Sequence, residues 1–594
     1  MGFLVSPGVE VKEIDLTDII PAQSTSIGGY TGHFRWGPIG EIVTISSEKE
    51  LARIFGAPST ENAALERSFL EAASFLKYSN NLKVVRANAT GSLNAYSSQG
   101  NDSPESAGFT ISSITELETN QAALNALDAH IVARYAGVLG NSLRVHVVTE
   151  ANYGDQPASV KNSLQFKPGT TAWAEALTGE ENGTNSPETG VKDELAIVIV
   201  DNGGQFSGVK GEILEVHEGL SIARNAKNQF GESNYWADFV NTNSSLIFGV
   251  KDTGTDVELT AVSTAADTNL TWLDTDSNDD SPGVVSRDIY VDLGGGADAT
   301  SFTNDVVVTA LELFEDSETT DVNFLFAFED GAGTTDTKIK TIADQRRDVI
   351  GFISAPLSVK DQTSDDTKKD TITEYFDGIN SSSYIVFDSG PAYVYNKYRD
   401  AFAFIQLHGH IAGLCAATDD LTDPWFSPAG LNRGQLRGIT RLAYNPKKAD
   451  RDELYQKRIN PVVTLPGQGT VLFGDKTALT KPSAFDRINV RRLFITIEKA
   501  IATASKFQLF ELNDAFTRST FRNAIEPFLR DVQGRRGITD FRVVCDDSNN
   551  TQEVIDGNRF VADIYIKPTR SINYVTLNFI ATRTGASFEE LIGR

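Results

Sequence analysis

The sequence predicts a mixed α/β, multidomain chain: a central α/β core, inserted and mostly β outer domains, and extended strand arms at both ends. Three observations predict it. Strand and helix patterns alternate over residues 23–90 and again after Thr300. Between about residues 91 and 300 the composition shifts to Gly, Ser, Thr, Asn and Asp, with short apolar runs between polar gaps. Finally, apolar and polar residues alternate with period two near both termini.

In order along the chain, Val9, Val11 and Glu13 fall on one side of a short N-terminal strand that follows the Pro7-Gly8 turn signal. Ile27 to Tyr30 reads as a strand ending near Gly32, Trp36-Gly37-Pro38 as a turn, and Glu41 to Ile45 as a second strand. Ser46-Ser47 offers an N-cap to a helix over Glu48–Phe55. Ala63 to Tyr78 has helical spacing, and Leu82 to Ala87 reads as a strand. In the polar region, strands are expected over Leu143–Val148, Leu195–Val200, Gly211–His217, Ser245–Val250 and Val257–Ser263, with a helix around Leu220–Gln229. Long Gly/Asn/Asp loops are tolerated more readily at a periphery than in a core.

After Thr300, helices are expected over Asp305–Phe314, Asp336–Arg347, Asp370–Phe376 and, as a small-residue apolar segment, Ala401–Ala416. Strands are expected over Val322–Ala327, Val349–Ser354 and Tyr384–Phe387. Towards the C-terminus, Glu453–Arg458 reads as a short helix and Thr470–Phe473 as a strand. A long helix spans Val490–Phe510, with a stripe of Leu493, Phe494, Ile497, Ile501, Ala504 and Phe507. Phe521–Arg530 is a second helix, followed by strands over Phe541–Cys545 and Phe560–Ile566. In the last alternating segment, Ile572–Ile580, Val575, Leu577 and Phe579 share one side. The implied domain limits are 1–22, 23–90, 91–300, 301–430, 431–571 and 572–594.

Composition narrows the function. The chain of 594 residues, with 34 Phe and 40% hydrophobic residues, can fill several cores. It has no run of about 20 apolar residues, so no membrane span is expected, and its start lacks the basic and apolar regions of a secretory signal. Cys415 and Cys545 leave one long-range disulfide or two buried thiols open, and the absence of export features favours thiols. The net charge of −27 disfavours nonspecific binding to nucleic acid or to anionic membrane. That charge is uneven: Leu431–Arg594 carries +8 and the rest −35. A basic C-terminal region that touches acidic surfaces of neighbouring copies is the sharper reading; ordinary solvated surfaces are the plainer one.

Motifs for covalent or metal chemistry are missing. There is no Walker loop, no H-E-x-x-H helix and no G-x-S-x-G elbow. His408 and His410, at i and i+2, would diverge on a helix. Gly294-Gly295-Gly296 lacks a following Lys or Ser/Thr and reads as a tight loop. Asp274 to Asp280 begins like a calcium loop but has Asp279 at the sixth position and Val285 at the twelfth, where Gly and Glu are needed. Arg491-Arg492 and Arg535-Arg536 lack interleaved exposed aromatics in an acidic chain. They are therefore read as interprotein charge contacts rather than nucleic-acid contacts. No cofactor, no metal and no enzymatic activity is expected. A paired-carboxylate glycosidase or a carbohydrate-binding protein using the β domains is the rival of a different class.

Several segments, taken in order, resemble the tail sheath proteins of myovirus-type phages. Val5-Ser6-Pro7-Gly8-Val9-Glu10-Val11-Lys12-Glu13 is similar to that family's opening, and Gly32-His33-Phe34-Arg35-Trp36-Gly37-Pro38 to its following turn. Ala133 to Leu143 resembles an "A-x-Y-P-G-x-x-G-N" stretch with Ala136 in place of Pro, and Leu293 to Asp298 an "L-x-G-G-x-D" loop. Asp321–Leu325, Ala416–Asp419, Trp425–Gly430, Asn460–Val462 and Arg491–Phe494 resemble later landmarks.

The resemblance implies a structural subunit of a contractile tail. Six copies form a ring around a tail tube, and rings stack from baseplate to neck. The partners it implies are the chain itself, the tail tube protein, and baseplate and tail terminator proteins, with no direct nucleic acid and no integral membrane. Arms carrying Val9, Val11 and Glu13, and Val575, Leu577 and Phe579, would add strands to neighbouring copies, and the C-terminal domain would face the tube. The sheath of a bacteriocin-like or secretion-system device is the alternative within the same class.

Overall fold

The computed structural model describes residues 25–58, 62–97, 108–125, 129–150, 152–170, 194–221, 226–228, 230–251 and 290–573. The expected strand over Val257–Ser263, the acidic loop Asp274–Asp280, the N-terminal arm and all of the C-terminal arm beyond Asn573 lie outside them.

The first unit contains β1 (Gly28–Gly32), β2 (Ile42–Ile45), α1 (Glu48–Phe55), α2 (Ala63–Leu76) and β3 (Leu82–Arg86). The expected N-cap forms: Ser47 accepts a hydrogen bond from the Glu50 amide, and Asn62 caps α2 in the same way. From β3 the chain departs, and it returns to the same sheet only at β10 (Phe324–Ala327), after α6 (Asn304–Leu311). The return continues through α7 (Thr334–Arg346), β11 (Ile350–Ser354), α8 (Asp365–Asp377) and β12 (Ile385–Asp388). β1 lies between β3 and β10, parallel to both, so the intervening polypeptide is an insertion into one sheet.

That sheet has seven strands in the order β16-β12-β11-β10-β1-β3-β2, with β16 at Ile459–Asn460, and all are parallel except the edge strand β2. Its strands are apolar on both sides because both faces are covered. Tyr30, Val84, Phe324 and Phe326 pack against α2 and α9 (His408–Leu421), while Val85, Leu325, Ala327 and Ile353 pack against α6, α7 and α8.

The segment Ala401–Ala416, expected to be one helix, is a strand followed by a helix. β13 (Ala392–Asn396) and β14 (Ala401–Ile405) form an antiparallel hairpin in which Tyr393 stacks on Phe402 with ring centroids 5.2 Å apart. The alternation Phe402, Phe404 suits a strand, and α9 begins only at His408. Gly409 and Gly413 then serve close packing on α2. A Cβ on Gly409 would sit 2.5 Å from the Glu71 carbonyl oxygen, and one on Gly413 2.5 Å from the Tyr78 ring. β15 (Ile439–Leu442) completes a three-stranded sheet with β13 and β14.

The inserted region holds α3 (Ile114–Asn125), β4 (Ile131–Ala133), β5 (Leu143–Thr149), α4 (Ala158–Ser163), β6 (Glu194–Asp201), β7 (Glu212–Ser221), α5 (Trp236–Asn243), β8 (Ile247–Gly249) and β9 (Tyr290–Asp292). Its main sheet is antiparallel, β7-β6-β5-β9, and β4 pairs with β8. Where it is described, the helix expected around Leu220–Gln229 is not formed: Leu220 and Ser221 are in a strand, and 226–228 are not helical. β7 runs on to Ser221 because fully buried β6 needs a partner along its length, with Leu195 opposite Leu220 and Glu194 opposite Ser221. Further on, Lys227 bridges to Ser233.

Beyond the core come α10 (Lys448–Gln456), the hairpin of β17 (Val462–Leu465) and β18 (Gly469–Leu472), α11 (Ile488–Ser505), α12 (Ala515–Gly534), β19 (Ile538–Val544), α13 (Gln552–Asp556) and β20 (Asp563–Pro568). α11 belongs to two cores. Ile488 and Ile495 join the central cluster, while Leu493, Ile497 and Ile501 pack with Phe521, Ile525 and Leu529 of α12. Its apolar stripe ends earlier than expected: the helix stops at Ser505, and Phe507 is 69% exposed. Cys415 and Cys545 are buried free thiols. Among the described residues no helix is long and apolar enough to cross a membrane.

Candidate assembly surfaces

Three motifs singled out in the sequence meet where the inserted region joins the sheet. Arg86, at the end of β3, donates to the carbonyls of Gly37 (2.9 Å) and Ala136 (2.7 Å). It is buried, and burial pulls its pKa down to about 10 even with the Asp298 carboxylate nearby. Asp298 accepts from the Val138 amide at 2.9 Å, and Asn141 and Gly296 exchange two hydrogen bonds of 2.9 and 2.8 Å. Gly137 sits at φ +143°, where a Cβ would lie 2.2 Å from the Arg35 carbonyl oxygen. Trp36 is buried edge-on against Tyr135 and Phe206. The glycine run bridges back to the chain at Gly294–Tyr96 and Ala297–Leu93, so it is a turn that fastens the insertion. The site is built for attachment.

The C-terminal motifs meet around α11. Arg492 is buried, pairs with Asp419, donates to the Cys415 carbonyl at 3.2 Å and lies over the Phe324 ring. Arg491 is sandwiched between the rings of Tyr384 (4.4 Å) and Phe485 (4.1 Å). The expectation that these two reach another protein is corrected here: both guanidinium groups are engaged inside the chain, at 4% and 3% residue exposure. Arg535 does reach solvent; it pairs with Asp423, and its carbonyl accepts from the Trp425 indole at 3.0 Å. Arg536, exposed at φ +69°, lies on the wall of a cleft.

That cleft, of about 1160 Å³, opens where the described chain ends. At its floor Asp475 gathers Arg487 (3.0 Å), Tyr455 (3.2 Å), Ser427 (3.3 Å) and Ser571 (2.8 Å), and Asn573 donates to it at 3.3 Å. The root of the C-terminal segment is thus tied down by side-chain hydrogen bonds. Val9, Val11, Glu13, Val575, Leu577 and Phe579 lie outside the described residues. Two further surfaces escaped the sequence reading. The connection between α11 and α12 exposes Phe507, Leu509, Phe510 and Leu512, with Phe510 fully exposed, and the first turn of α12 adds exposed Phe516. Assigning Phe507 and Phe510 to a helix hid this knob; the interruption by Glu511 and Asp514 was the available signal. The other is the two-stranded ladder β19–β20, which has no third strand among the described residues.

Geometry of this kind, with buried fastenings and exposed apolar and strand-edge surfaces, belongs to a subunit that works by assembling. Residues 302–478 match the phage tail sheath protein central domain, and residues 480–582 the phage tail sheath C-terminal domain. The tail sheath protein of Vibrio phage KVP40 is 33% identical over 681 aligned positions, covering 99% of this chain and 100% of the relative. That of Enterobacteria phage T4 is 31% identical, with 99% of each covered. The crystal structure of a sheath tail protein from Listeria innocua shares the fold, with a TM-score of 0.54 over 94% of each chain at 13% identity. The chain belongs to the family of phage tail sheath proteins, and it is a structural sheath subunit of a contractile injection system.

Proposed function

We propose that this chain polymerises around a tail tube as stacked six-fold rings, and that the rings contract to drive the tube through the host envelope. Assembly takes place in the host cytoplasm, on a baseplate and up to a neck. No covalent step is involved, and the free energy comes from the difference between two lattices. The observation that carries this reading is the apolar knob Phe507–Phe516, which stands out from a domain with its own closed core. Exposed aromatic residues gathered at one place on a surface mark a partner contact, and we assign this one to the tube.

In this reading residues 1–22 and 572–594 are arms, 91–300 the outer insertion and 23–90 the first part of the core. We set the boundary between core and inner domain near residue 479 rather than 430, because β16 completes the core sheet. The ladder β19–β20 is the acceptor for arm strands: it packs on α12 through one face, and among the described residues it has no third strand, so an open edge is left to receive another. Arg535 and Arg536 remain as charge contacts between proteins.

The test is co-sedimentation with purified tail tubes. Phe510→Asp is expected to leave the thermal transition unchanged and to reduce tube coating at least tenfold. Coating equal to wild type would remove the knob from the tube contact.

A further inference from the structure

The cleft at the root of the C-terminal segment holds more positive charge than it neutralises. Arg433, Lys448, Arg451, Lys476, Arg536 and Arg570 line it, against Asp452 and Asp475. Asp475 is already engaged by Arg487, which is not one of the six. Among the described residues, none of the six has a carboxylate within ion-pair distance. Three are held in place by the cleft itself. Arg433 lies over the Phe426 ring (5.3 Å) and donates to the Ser427 carbonyl at 2.8 Å. Lys476 lies over Tyr455 (4.2 Å) and donates to its carbonyl at 2.7 Å, and Arg451 lies over Phe473 (5.4 Å). Burial and the nearby Arg487 guanidinium pull the Lys476 ammonium below its usual pKa range, and burial alone does so to Arg433. These cations are short of counter-charge.

The chemistry of a matching ligand follows from these groups. Six cations from separate stretches of the chain converge on one cavity, which suits a compact, multiply charged anion better than an extended one. Four of the six are arginines, whose planar forks match the oxygens of phosphate. Three of the cations are already positioned, so less side-chain freedom is lost when an anion arrives. A long polyanion meets the net −27 of the whole chain and is repelled. We propose that the cleft binds a short chain of linked phosphates, as inorganic polyphosphate or as the phosphate tail of a nucleoside triphosphate. Its volume of about 1160 Å³ admits either. Phe473, 47% exposed, gives a nucleobase a ring to stack on. This site goes beyond the sheath reading and does not depend on it.

The test is isothermal titration of the full-length chain, at low ionic strength, with tripolyphosphate, ATP and citrate. Saturable binding of tripolyphosphate at one site per chain is expected, at least tenfold tighter than that of citrate. Arg433→Glu with Arg451→Glu should weaken it at least tenfold. So should Lys448→Glu with Arg570→Glu, two exposed side chains whose exchange leaves the thermal transition unchanged. Arg530→Glu, at an exposed position of α12 outside the cleft, should leave binding as it is. ATP that binds more tightly than tripolyphosphate, and loses the advantage with Phe473→Ala, supports the proposal with a nucleotide as the source. Equal or weaker binding of ATP supports it with inorganic polyphosphate as the source. No saturable binding, or binding that both cleft pairs leave unchanged, overturns it. So does citrate that binds equally well, or Arg530→Glu that weakens binding as much as the cleft pairs, because the attraction is then diffuse. The subunit alone is titrated, so the outcome stands apart from whether a sheath forms.

Discussion

At the scale of single residues, buried charge decides stability and exposed charge does not. Removing one partner of a buried pair strands the other, at a cost of about 3–5 kcal/mol, whereas exposed pairs contribute about 0–1 kcal/mol. Arg492→Ala should therefore destabilise the subunit by about 3–5 kcal/mol in chemical denaturation. Arg535→Ala, at a side chain 52% exposed, should stay within about 1 kcal/mol. Asp388 supplies a pH dependence. It is fully buried at the end of β12, accepts from Ser354 (2.7 Å) and the Gly390 amide (3.0 Å), and burial raises its pKa from 3.8 to about 7. The folded state then holds a proton that the unfolded state releases, so stability falls as pH rises between about 4 and 7 and levels off above. Each pH unit in that window removes about 1.4 kcal/mol. Asp388→Asn should flatten this slope in denaturation midpoints taken at pH 5 and pH 8; an unchanged slope would place the titration elsewhere. Sequence alone did not mark Arg492 or Asp388 in these roles, because burial is set by what packs around a residue. The Arg491-Arg492 pair looked like surface charge until α11 was found to be shared by two cores.

At the scale of elements, much of the fold was legible where periodicity was long and both flanks were marked. α1 has its expected limits, Glu48–Phe55, because Ser47 caps it and Gly56 follows. The parallel strands read as apolar runs because both faces of the sheet are covered. Misreadings came where tertiary pairing overrode local pattern. Ala401–Ala416 has small-residue helical character throughout, yet Phe402 and Phe404 are drawn into a ladder with β13. Leu220 continues a strand because β6 needs a partner. At the insertion junction the glycines were visible as motifs, but that they meet was not. Gly137→Ala places a methyl against the Arg35 carbonyl at a backbone angle that disfavours side chains, with an expected cost of about 1–3 kcal/mol. Faster proteolysis of the inserted region, with the core intact, is the readout.

At the scale of the whole molecule, α11 makes the central and C-terminal units share apolar contacts, so they should move as one body while the terminal segments take up the change between lattices. Deleting Met1–Ile14, or everything after Ser571, should leave a folded subunit that cannot build a long sheath; a normal sheath from either deletion would end the arm hypothesis. The most direct test of the central claim is electron microscopy of the purified, concentrated protein, alone and with added tail tubes. Hollow, helically striated tubes or stacked six-fold rings are the predicted result. A uniform monomer that also fails to coat the added tubes would contradict it.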